Sequence, residues 1–181
     1  MVQSIRKVAV IGGGATGSQI AAVCALAGFD VNIHDRHEET FSKNMEEISQ
    51  HLQRKVEKGK LSWQDLEDSF ARLFFEPELE SAVNESDFVI EAEIKDRSIK
   101  RDMFKSIDQY APAHAIFATY SSSIADATER PAQVCHFHFF NLELIDVVKG
   151  PHTSDETAET AMDFGKKLNA WTQSGDRILH V

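Results

Sequence analysis

Three glycines, Gly12, Gly14 and Gly17, punctuate the passage from a short apolar run, Val8 to Ile11, into a stretch of small residues, Ser18 to Ala27. Glycine triplets arise by chance, so context decides. Here a strand precedes them, a helix follows, and a second apolar run, Phe29 to His34, ends on an acid at Asp35. That order is a grip for a dinucleotide. Gly12 permits the tight turn, Gly14 lets the backbone approach a pyrophosphate, and Gly17 lets helix and strand pack closely. The small residues between them, Ala15 and Thr16, leave the N–H groups of the helix start open to the anion. Asp35 lies 23 residues after Gly12. Its carboxylate is placed to accept hydrogen bonds from the adenosine ribose hydroxyls and to repel a 2′-phosphate, which selects NAD over NADP. Arg36, next in the chain, tempers that selection. The bland alternative is a sheet edge with packing glycines and a solvated aspartate, and the complete strand–turn–helix–strand unit outweighs it.

The elements that would position this turn continue down the chain. From Thr40 to Lys58 the sequence is polar, with Phe41, Met45, Ile48, Leu52 and Val56 at helical spacing along one stripe. Gly59 closes that helix, and Ser62 with Asp65 reads as the cap of a second one carrying Trp63, Leu66 and Phe70. Short strands are predicted at Leu73–Phe75, Asp87–Ala92, Ala115–Ala118, Val134–Phe140 and Leu144–Val148, with helices over Glu78–Val83, Ile99–Tyr110 and from Ser154 to Leu168. The tail from Ala170 to Val181 could add a strand or a hairpin about Ser174 and Gly175. No repeat or Pro/Gly-rich linker interrupts the rhythm. The expected fold is therefore a single α/β domain over residues 1–181, a Rossmann-type doubly wound and mostly parallel sheet with a helical pair inserted after the second strand.

Composition narrows the function. The chain has 181 residues, 42% hydrophobic and 27% charged, with a net charge of −10. That charge argues against nucleic acid and anionic membranes as partners. Cys24 and Cys135 lie in separate apolar runs without metal-ligand spacing, so buried free thiols in a reducing cytoplasm are expected and no metal site is. The start shows no signal or transit pattern, and no apolar stretch approaches membrane-spanning length.

The segments VIEAEIKDRSIKRDMF, AIFATYSSSI, HFHFFN and LIDVVKGP follow the glycine turn in that order. Together they resemble the NAD-binding domain of the 3-hydroxyacyl-CoA dehydrogenase family, bacterial 3-hydroxybutyryl-CoA dehydrogenases included, over nearly the whole chain. The resemblance implies oxidation of a 3-hydroxyacyl-CoA to the 3-ketoacyl-CoA, with hydride passing to NAD. His138 would be the base that takes the hydroxyl proton, and Asp146 the carboxylate that orients and charges its imidazole. Ser122 would hydrogen-bond the substrate oxygen and Asn141 would join it in the substrate site, while Ala92, Glu93, Lys100 and Ser121 would extend the cofactor contacts. From strand periodicity alone His138 reads as a structural histidine, sharing a face with His136 and Phe140 opposite Cys135, Phe137 and Phe139. In the family an all-helical domain follows, completes the acyl-CoA cleft and forms the dimer. This sequence stops about where it would begin, so a homodimer or a separate helical subunit is expected.

Four features depart from the family pattern. Tyr120 stands where the family has Asn, and Lys95 where it has Glu, a reversal of charge near the cofactor ribose. Glu93 could substitute for that acid from a displaced position. The segment after HFFN is shortened, has Leu142 in place of proline and ends on Asp146 in place of Glu, a side chain one methylene shorter, and a shift of about 1 Å between base and carboxylate is enough to alter the rate on the order of a hundredfold. The helical domain is missing. These departures support an alternative, an NAD-binding module or regulatory subunit with impaired catalysis.

Overall fold

The computed structural model describes residues 2–92, 94–119, 122–140 and 144–169, without the side chains of 122, 123, 140 and 144. Seven strands form one sheet: β1 (Lys7–Ile11), β2 (Asp30–His34), β3 (Leu73–Glu76), β4 (Phe88–Glu91), β5 (Ile116–Thr119), β6 (Val134–Phe140) and β7 (Leu144–Val148). Their order is β3-β2-β1-β4-β5-β6-β7. All pairs are parallel except β6 with β7. The reversal of strand order between β1 and β4 creates the crevice at the carboxyl ends of the strands where doubly wound sheets take their ligands.

Helices cover both faces, which is why β1 and β4 are almost continuously apolar. On one face α1 (Ala15–Leu26) and α6 (Asp155–Asn169) meet Val10, Ile90, Ala118, Cys135 and Phe137. On the other, α4 (Leu79–Val83) and α5 (Arg97–Tyr110) meet Ala9, Ile11, Val89 and Phe117. The inserted pair, α2 (Glu38–Glu57) and α3 (Trp63–Ala71), closes a smaller cluster of Leu52 and Leu66 on Leu26 of α1. The stripe at helical spacing is thus real, and Ser62 does cap α3, accepting from the Asp65 N–H at 3.0 Å.

Three local expectations change. Helix α1 starts at Ala15 and not Ser18, because Gly14 serves as its N-cap and the turn runs directly into the helix. Trp63 sits in the first turn of α3 but faces solvent, 56% exposed, so Leu66 carries the burial. Two 3₁₀ turns, Ser122–Ala127 and Pro131–Gln133, bridge β5 to β6 where the sequence offered only a turn of hydroxyls. The tail 170–181 lies outside the described residues.

Phe164 of α6 joins the sheet to its helical cover, its ring centroid 4.5 Å from Phe88, 4.9 Å from Phe29 and 5.7 Å from Phe137. Phe164→Ala should cost about 3–5 kcal/mol, and Phe164→Leu about 1.5 kcal/mol or less. Thermal melts check this. The alanine variant should melt roughly 10 °C below the wild type, and an unchanged midpoint would remove Phe164 from the core.

Candidate active site at the carboxyl edge of the sheet

The glycine turn is held by backbone approach. Gly12 adopts φ +112°, and a Cβ there would lie 2.3 Å from the Ala92 carbonyl oxygen. A Cβ at Gly17 would lie 1.8 Å from the Gly12 oxygen, so β1 and α1 could not come together around a side chain. The Gly12 N–H donates to His34 O at 2.8 Å, and the Ala92 N–H to Ile11 O at 2.9 Å. Gly13, which the spacing argument passed over, is the joint of the site. Its N–H donates to Asp35 Oδ2 at 2.7 Å, and its carbonyl accepts from Ser18 Oγ at 3.0 Å and Asn44 Nδ2 at 3.3 Å. The signal was available in the middle glycine of the run Gly12, Gly13, Gly14. Asp35 Oδ1 accepts from the His37 N–H at 2.9 Å, so the half-buried carboxylate is braced between the β1–α1 turn and the β2–α2 loop. Each oxygen keeps a lone pair for a hydroxyl donor. No side chain caps α1 and no acid lies in its first turn, so an anionic group meets no carboxylate there. Arg36 is exposed beside this site.

Across the crevice, the carboxyl ends of β4 and β5 carry a buried charge. Glu91, 1% exposed, accepts from the Ile94 N–H at 2.7 Å and the Thr119 hydroxyl at 3.0 Å, and pairs with Lys100 Nζ at 2.9 Å. Sequence reading named Lys100 but missed Glu91. The available signal was an acid inside the otherwise apolar run FVIE.

Next along the same face come the histidines. Thr119 pairs with His136, and on the antiparallel side His138 lies directly opposite Asp146. Across the shortened connection the hairpin register sets Phe140 opposite Leu144 and His138 opposite Asp146. Cys135, Phe137 and Phe139 point into the core behind. The rings of His136 and His138 are nearly parallel, 14° apart in plane with centroids 6.4 Å apart. Asp146 Oδ1 is buried without a hydrogen-bond partner among the described residues, an acceptor left available beside His138. Ser122 opens the first 3₁₀ turn, immediately beyond the end of β5. Glu93, Tyr120, Ser121, Asn141 and Leu142 lie outside the described residues, while Lys95 is exposed on the loop after β4.

Burial pushes both thiols up, Cys135 to about 12, which removes them as thiolate nucleophiles. Burial, and then the charge of His138, holds His136 below the ordinary histidine value.

The helical pair carries a cationic stripe. His51, Arg54, Lys55 and Lys58 recur at i, i+3, i+4 and i+7 along α2 and its C-cap, and with Lys60 they line a groove of about 260 Å³. Partial burial and the charges of Lys55, Arg54 and Lys58 hold the His51 pKa down.

The sequence profile of the family described as 3-hydroxyacyl-CoA dehydrogenase, NAD binding domain, matches residues 7–172. The mitochondrial hydroxyacyl-coenzyme A dehydrogenase of Homo sapiens is 35% identical over 179 residues, covering 91% of this chain and 57% of that protein. A probable 3-hydroxybutyryl-CoA dehydrogenase of Deinococcus radiodurans is 37% identical over 171 residues, covering 90% and 61%. The chain therefore spans little more than half the length of these relatives. Among solved structures, the (S)-3-hydroxybutyryl-CoA dehydrogenase of Ralstonia eutropha superposes with a TM-score of 0.87 at 28% identity, over 98% of this chain and 64% of that one.

The His136 geometry has a pH signature. A histidine whose folded value is depressed contributes stability above its unfolded value and loses it as pH falls through that value. Wild-type melting temperature should therefore fall more between pH 7.5 and pH 5.5 than that of His136→Gln, and equal falls in the two proteins would contradict the burial of an uncharged ring.

Proposed function

The chain belongs to the family of the 3-hydroxyacyl-CoA dehydrogenase NAD-binding domain, and from that membership we propose that it serves the NAD-dependent oxidation of a 3-hydroxyacyl-CoA to the 3-ketoacyl-CoA. NAD, when bound, supplies the hydride acceptor. In this reading Gly12 makes the tight turn, and Gly14, Ala15, Thr16 and Gly17 bring backbone N–H groups to its pyrophosphate. Asp35, bordered by Arg36, takes the adenosine ribose, and Ala92, Glu93, Lys100 and Ser121 continue the contacts. His138 takes the proton from the substrate hydroxyl while the C3 hydride leaves, and Asp146 stabilises the imidazolium that forms. Ser122 and Asn141 hold the substrate oxygen.

The observation that supports this best is the direct pairing of His138 with Asp146 at the edge of the crevice headed by the glycine turn. It puts a base and a free carboxylate oxygen on one sheet face. CoA as the carrier is supported by the cationic groove on α2, a suitable seat for phosphates on a chain that is otherwise acidic. Assembly as a homodimer, or with a separate helical subunit, would complete the acyl cleft. A cytoplasmic setting fits the two buried unpaired thiols. Among the described residues no helix is long and apolar enough to cross a membrane.

Titration with NAD and NADH tests binding. Loss of NADH absorbance with acetoacetyl-CoA, for the chain alone and together with the family's helical domain, tests turnover. His138→Ala should lower kcat/KM by about 10²–10⁴ with unchanged NADH affinity. Binding without turnover under both conditions would reduce the chain to a cofactor-binding module. Lys55→Glu with Lys58→Glu should raise KM for the CoA substrate severalfold and leave NAD binding alone, and an unaltered KM would remove the groove from the substrate path.

A further inference from the structure

The crevice contains an ion pair that the proposed reaction does not by itself require. Glu91 and Lys100 are withdrawn from water, their side chains 1% and 8% exposed. Burying two charges costs several kcal/mol per ion before their attraction offsets it, and an apolar pair of similar volume is often as stable. Retention of the pair at this position points to a use.

Its location suggests what that use is. The pyrophosphate grip is on β1 and the ribose acid on β2, so a dinucleotide lying across the carboxyl edge extends its other half over β4 and β5. Glu91 and Thr119 end those two strands. The carboxylate is bound on every side. Ile94 fixes one oxygen and thereby the start of the β4–α5 loop, while Thr119 and Lys100 fix the other. Among the described residues Lys100, by contrast, uses one of its three donors, on Glu91, which leaves two for a ligand. The pair as a whole is neutral, whereas the nicotinamide ring carries a positive charge in NAD and none in NADH.

We propose that Glu91 is a positioning residue for the nicotinamide half of the cofactor. Its carboxylate aims the Lys100 ammonium into the crevice and cancels its charge, so that the site favours neither redox form through an unbalanced charge. This rests on the NAD reading above, and deepens it by assigning a residue to the redox balance of the bound cofactor.

The test is the ratio of NAD to NADH dissociation constants, measured by calorimetry for wild type, Lys100→Gln, Glu91→Gln and the double variant. Contacts common to both forms cancel in that ratio, and general loosening of the fold does not move it in a chosen direction. Lys100→Gln leaves a carboxylate still held by Ile94 and Thr119, and should favour NAD by about tenfold for a unit charge within roughly 10 Å of the ring at an effective dielectric near 20. Glu91→Gln leaves an ammonium and should shift the ratio the opposite way, and the double variant should return to within about twofold of wild type. If Glu91→Gln does not fold, the comparison of Lys100→Gln with the double variant decides alone. Ratios that stay at the wild-type value while melting temperatures fall would make the pair merely structural and overturn the assignment. Failure of the wild type to bind either form would instead overturn the cofactor reading on which it stands.

Discussion

The constraint on which the rest depends is the contact of backbone with backbone at Gly12. Strand β1, helix α1 and the end of β4 converge there with no room for a side chain, since a Cβ on Gly12 would meet the Ala92 carbonyl and one on Gly17 would meet the Gly12 carbonyl. Because those three segments touch, the crevice floor is polypeptide and its rim is formed by whatever follows each strand. Asp35 follows β2, Ile94 and Lys95 follow β4, and the serine turn follows β5. Fixing one turn therefore fixes the spacing of four loops contributed by distant parts of the chain.

That convergence also explains what could be read from the sequence. The turn and Asp35 were legible because their chemistry is local: glycines at fixed offsets, a strand before and an acid after. The fold followed from the alternation of apolar runs and helical stripes. Gly13 was not singled out, because its importance lies in a hydrogen bond to a residue 22 positions away. Glu91 stood out in the sequence as an acid within an apolar run, but its role depends on partners far along the chain, on β5 and α5. The groove on α2 was written in the sequence at helical spacing, yet a composition of −10 drew attention away from it.

The pairing of His138 with Asp146 shows a different kind of legibility. Counting residues left the effect of the shortened connection open, since the register of a hairpin depends on its turn as well as on its length. The ladder itself sets His138 opposite Asp146. His136 and Thr119 belong to the same row, which continues to Glu91, so the polar side chains of β4, β5 and β6 share one face while Phe137 and Phe139 pack the other. Strand alternation alone could not distinguish a polar row built for chemistry from one tolerated at a sheet edge.

The cationic groove sits on a chain whose overall charge is −10, and the two fields have different reach. At physiological ionic strength each is screened beyond about 8 Å, so a polyanion diffusing from solution is first repelled by the acidic body and attracted only when close to α2. Added salt would weaken both effects, raising the frequency of productive encounters while shortening each stay. For the anionic ligand proposed above, capture by the groove is then a question of dwell time as much as of affinity.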